Sequence, residues 1–135
     1  MTARQQIGRA NATSQARLQL VLVLLALWDL LAFLLELTNA GLMKVGSIDG
    51  MLGARALNGS VVVLAIAYLY AARNPIRYRF VLWLATLEQF IALFAGTFHW
   101  ARGDVGAGQA IIPILVSAGF LVALMTSMPR QTDAF

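Results

Sequence analysis

Residues 18–38 read LQLVLVLLALWDLLAFLLELT, an apolar run whose polar interruptions are Gln19, Asp29, Glu36 and the closing Thr38. A helix of about 20 residues rising 1.5 Å per residue covers the roughly 30 Å of a bilayer's hydrocarbon. This stretch carries leucine or valine on every side, so as a helix it has no polar face to turn to water. Three more runs of the same character follow at 53–72, 78–98 and 108–128. The expected fold is therefore an all-α integral membrane protein, four transmembrane helices in an antiparallel bundle. A Gly-rich loop (39–52), a basic turn (73–77) and a second Gly-rich loop (99–107) separate the spans, and no segment is long enough for a second domain. In the turn, Asn74-Pro75 disfavours helix before the proline and splits spans two and three into a short hairpin.

Composition agrees. Apolar residues make up 60% of the 135, where about 45 to 50% is usual. Ten basic and six acidic side chains cannot clothe a water-facing surface of this size. No cysteine is present, which excludes disulfides, thiolate metal sites and cysteine nucleophiles, and a single histidine excludes a site built from several imidazoles. The net charge of +4 would suggest nucleic acid in a soluble protein. Here the arginines flank apolar runs, so lipid is the expected partner and nucleic acid is not.

Arg4, Arg9, Arg17, Arg73, Arg77, Arg79 and Arg130 fall on one side of the four-span layout, against Lys44, Arg55 and Arg102 on the other. The excess places both termini, a basic tail over 1–17 and a short tail over 129–135, in the cytoplasm of a bacterial inner membrane. Tyr68, Tyr70, Tyr78 and Trp83 then gather toward the inner interface and Trp100 marks the outer one. Thr38-Asn39-Ala40 loosely resembles a signal-peptide cleavage site, but the run before it is too long and too acidic for a signal core.

The informative residues are the polar ones within the spans. Asp29 and Glu36 lie seven apart on one face of span one, with Ala26 and Ala32 beside them; span three carries Ala85, Glu88, Ala92, Ala95 and His99 at helical spacing. Small residues accompany the ionisable ones, the pattern of close helix packing in membranes. Depth sorts these groups into two layers. Glu36 can meet Arg55 near the outer end as a charge-assisted pair, with Asn58 beside it. Two readings of that layer stay open: a fold-fixing ion pair, or a polar mouth that accepts a headgroup, an anion or a quinone ring. Asp29 and Glu88 lie near the midplane with no basic residue at their depth. Two carboxyls in low dielectric each resist ionising, so at least one is expected to be neutral. They are tolerated as hydrogen-bonded acids, handle protons or cations, or await a base from a partner subunit. Trp28, beside Asp29, reads as core packing. His99 reads as an interfacial hydrogen-bonding group; the other reading, an axial ligand to a chlorophyll-type pigment, rests on one residue. No metal site is expected.

The layout has one family resemblance. GARALNG at 53–59, following a polar loop, and YLYAARNP at 68–75, closing span two, resemble the DoxX-like small four-helix bacterial membrane proteins over roughly 18–128. The resemblance implies a four-helix bundle and association with membrane redox enzymes or quinone chemistry. Asp29 and Glu36 belong to no pattern carried over from that family.

The chain contains no nucleophile constellation, metal cluster or phosphate-cradling loop. The leading expectation is an accessory subunit of a larger membrane complex, redox, quinone-linked or pigment-containing, joined to partner subunits or to copies of itself and holding no cofactor of its own. The alternative is a carrier that moves protons or a small apolar or quinone-like compound past Asp29 and Glu88.

Overall fold

The computed structural model describes the backbone of residues 3–37 and 48–128, and the side chains of 12–35 and 59–128. Four helices form, α1 (Ala3–Leu37), α2 (Ile48–Ala72), α3 (Arg79–Ala101) and α4 (Ala107–Ser127). Among the described residues there is no strand. Three helical stretches are long and apolar enough to cross a membrane: Ala12–Leu35, Arg79–Ala101 and Ala107–Ser127. The apolar part of α2 whose side chains are described, Gly59–Ala72, is shorter. Helix α1 begins well before the expected start at Leu18, because the polar residues from Ala3 to Arg17 include neither glycine pairs nor proline to stop it.

Each helix packs on its two neighbours in chain order. The α1–α2 and α3–α4 contacts are extensive, α1–α4 and α2–α3 are slighter, and the diagonal pairs do not meet among the described residues. The result is a square up-and-down bundle made of two hairpins. The Ser14 hydroxyl donates to the Ser127 carbonyl at 2.9 Å and ties α1 to the end of α4. The buried core lies toward that same end of the bundle: Leu18, Leu22 and Leu25 of α1, Ala65, Tyr68 and Ala71 of α2, Leu82 and Ala85 of α3, and Leu124 of α4.

Both described turns are built by their own sequence. Between α2 and α3, Pro75 is fully buried. The Asn74 carbonyl accepts from the Arg77 and Tyr78 amides at 3.1 and 3.3 Å, and its side-chain oxygen accepts a second bond from Arg77 at 3.2 Å. Arg73 and Arg77 lie over the rings of Tyr70 and Tyr78, 5.5 and 5.8 Å from their centroids. These contacts keep both arginines at the rim with their stems against apolar surface. Beyond α3, Gly103 adopts a left-handed φ of 78°. Its amide reaches the Trp100 carbonyl and the Asp104 amide reaches the His99 carbonyl, both at 3.0 Å. That bond pair is the Schellman stop, which favours glycine at the left-handed position.

Large apolar side chains point outward. Phe80 (72% exposed), Trp83, Leu87, Phe90 and Phe94 line the outside of α3, and Leu20, Leu24, Leu27, Leu31 and Leu34 that of α1. Inside, the core leucines and Tyr68 pack with alanines, and Asp29, Gln89, Ser117 and Ser127 are buried among them. The polarity is inverted relative to a water-soluble bundle.

Candidate functional site

The bundle's centre collects polar groups from three helices. Asp29 comes from α1 and is 4% exposed; Tyr68 comes from α2 and is completely covered; Glu88 and Gln89 come from α3, with Gln89 at 3%. The Tyr68 hydroxyl donates to Glu88 Oε2 at 2.5 Å. Gln89 Nε2 points to the same oxygen from 3.4 Å. Asp29 lies within Coulombic range of both Glu88 and Tyr68. The buried polar side chains of α4 are Ser117 and Ser127.

Backbone geometry explains how these side chains converge. Tyr68 follows Ala65 by three residues and precedes Ala72 by four, a stripe of small groups that lets α2 approach and leaves room for one phenol. On α3 the buried positions are Leu82, Ala85 and Gln89, while Ala92 and His99 are exposed. The expected stripe through Glu88 thus holds at Ala85, is half-buried at Glu88 and Ala95, and is lost at Ala92 and His99. The cause is that α3 has two neighbours: Glu88 turns to Tyr68 on α2, and further along Gly96 lies against Ile114 of α4, where a methyl group would sit 3.0 Å from Ile114 Cγ1.

Hydrogen-bond accounting leaves two atoms over. Asp29 Oδ2 and Gln89 Oε1 are buried and have no partner among the described residues. The cluster's two donors, the Tyr68 hydroxyl and the Gln89 amide, are both directed at Glu88. Both orphans are acceptors, and an unpaired acceptor shut away from water costs about 1 to 3 kcal/mol.

A second polar group sits at the far end of α3. The Schellman turn brings the Asp104 carboxylate back to His99 Nδ1 at 2.8 Å, and Arg102 Nε approaches the same oxygen at 3.5 Å. The bond to His99 holds the exposed Asp104 carboxyl below the usual carboxylate range; its slight desolvation opposes this, and the Arg102 charge adds to it. His99 also borders a crevice of about 30 Å³ shared with Gly96, Gln109 and Pro113. At the start of α4 the Gln109 side chain accepts from the Gly106 amide at 3.4 Å, and Pro113 has no amide to give the Gln109 carbonyl four residues earlier. A carboxylate on Nδ1 orients an imidazole and leaves Nε2 for another partner, the arrangement found behind metal-bound histidines. Among the described residues no group of three or more His, Cys, Asp or Glu could hold a metal ion.

The remaining candidates from the sequence divide as follows. Glu36, Arg55 and Asn58 have side chains outside the described residues, and so does the expected ion pair. Trp28 is half-buried next to Asp29. Sequence reasoning misses Tyr68 and Gln89 as members of the site. Tyr68 lies only four residues from the end of α2, which makes it resemble an interfacial aromatic, although its alanine neighbours at three and four residues mark the inner face. Gln89 is overshadowed by the charge of Glu88. No family model, no curated protein and no solved structure matches this chain.

Proposed function

We propose that this chain is a small, non-catalytic integral membrane protein that serves as an accessory subunit of a larger membrane assembly. All four helices cross the bilayer on this reading, α2 by way of its full 25-residue length. The supporting observation is the inverted polarity. Bulky apolar side chains face outward along α1, α3 and α4, whereas Asp29, Gln89 and Ser117 are buried inside among leucines and alanines. Lipid tails are as apolar as leucine, so such helices associate through close packing and internal polar contacts rather than by escape from water. The basic rim of Arg73, Arg77 and Arg79 marks the cytoplasmic end in this proposal, and the Ser14–Ser127 tie puts α1's start and α4's end on that side. The resemblance to DoxX-like proteins favours a redox or quinone-linked assembly in a bacterial inner membrane.

The test is purification of the tagged full chain from native membranes in mild detergent, followed by native mass spectrometry. The expected result is a fixed stoichiometry with one set of partner subunits, and no visible absorbance or extractable quinone that depends on His99. Recovery as a lone chain would overturn the subunit reading. The unpartnered Asp29 oxygen favours a second reading, a carrier: liposomes holding the protein alone would then show a pH-dependent flux that Asp29→Asn removes.

A further inference from the structure

We propose that the centre of the bundle is a binding site for a single exchangeable proton, carried on Asp29, with Glu88 as its fixed counter-anion and Gln89 Oε1 as the acceptor offered to it. This rests on the membrane-embedded reading above and goes beyond it by naming the ligand and the role of each group.

Three observations converge on it. The first is the asymmetry between the two acids. Glu88 receives two donors on one oxygen, the Tyr68 hydroxyl and the Gln89 amide. Donors aimed at a carboxylate favour its charged form. Asp29 has a buried oxygen with no donor among the described residues. A carboxylate in that position is costly, whereas a carboxylic acid there is neutral and itself a donor. The second observation is independent of the acids. Gln89 spends its amide nitrogen on Glu88, and its oxygen, buried with the rest of the side chain, is left without a hydrogen. The site therefore lacks one hydrogen at Asp29 Oδ2 and one hydrogen for an amide oxygen. A proton on Asp29 Oδ2 meets the first need and presents a donor for the second.

The third observation is charge. The charged and titratable groups within electrostatic reach of Asp29 are Tyr68 of α2 and Glu88 of α3, and α4 has no titratable side chain anywhere along its length. Lys and Arg are absent from the described middle of every helix. Two ionised carboxyls there would repel with no cation among the described residues to offset them, and one proton removes that repulsion. A metal ion fits less well. Calcium takes about six to eight oxygen ligands, more than the carboxyl and amide oxygens of Asp29, Glu88 and Gln89 together supply.

The proposal is tested by infrared difference spectroscopy of the full-length protein in liposomes, in H2O and in D2O, with a carbonate wash to verify embedding. At neutral pH the wild type should show one carbonyl band of a protonated carboxyl that shifts in D2O. Asp29→Asn should abolish it and Glu88→Gln should retain it. Gln89→Leu should move it to higher frequency, because the acid loses its acceptor; a merely structural glutamine would leave the frequency alone. Absence of the band in the wild type, or its loss in Glu88→Gln with retention in Asp29→Asn, overturns the proposal. Protein that washes out of the liposomes overturns the membrane reading instead, so the two failures are distinguishable.

Discussion

Tyr68 and Glu88 show what a single hydrogen bond can report. If Glu88 is charged, Tyr68→Phe removes a hydrogen bond to an ion and should cost about 1.5 to 3 kcal/mol, against about 1 for a bond to a neutral acid. Reversible unfolding in detergent–lipid mixtures measures the difference. Asp104 offers a second residue-level test, outside the apolar spans. Its folded carboxyl titrates below the ordinary value because His99 bonds to it. A depressed carboxyl contributes its link above the unfolded value and loses it as pH falls through the folded one, so the His99–Asp104 contact should open only in acid. Carboxyl carbon NMR should find the midpoint below about 3.9 in the wild type and nearer that value in His99→Ala. Such details are partly legible in the sequence. Asp29 and Glu88 stand out because charge within an apolar run is conspicuous, whereas Gln89 does not, since an amide draws less notice than a charge and its importance arises only from the neighbour it bonds.

The helices themselves follow from runs of apolar residues, and their ends from local chemistry. Asn74-Pro75 closes α2 as its restricted backbone requires, and Gly103 stops α3. Gly103→Ala forces an alanine into the left-handed region at a cost of about 1 to 2 kcal/mol and should loosen the Asp104–His99 contact as well; thermal unfolding together with the NMR titration would show both. A single stripe drawn through Glu88 catches the buried Ala85 but misses Leu82 and Gln89, because this helix serves two neighbours. Gly96 belongs to the stripe facing α4. There Gly96→Ala asks only a small shift of Ile114, while Gly96→Ile should separate α3 from α4 and cost about 1 to 3 kcal/mol. Equal stabilities for the two variants would show that the close approach has no energetic weight.

At the scale of the whole molecule, composition alone indicates that apolar solvent surrounds the chain, and the fold places the bulky side chains accordingly. Absence of cysteine makes single labels clean. Arg73→Cys and Arg102→Cys, in the turns before and after α3, should react with an impermeant maleimide from opposite sides of intact vesicles; labelling of both from one side would refute four crossings. What no one-dimensional pattern could supply is which spans adjoin. The two hairpins, α1–α2 and α3–α4, are each well packed and touch one another more lightly. Asp29 and Tyr68 belong to the first, Glu88 and Gln89 to the second. On the membrane-embedded reading proposed above, each hairpin carries only one of the two central acids, and the two come together only when the halves dock. Two separately encoded halves, divided at the 73–78 turn, should still find each other in the bilayer, with the cluster serving as the latch that recognises correct assembly.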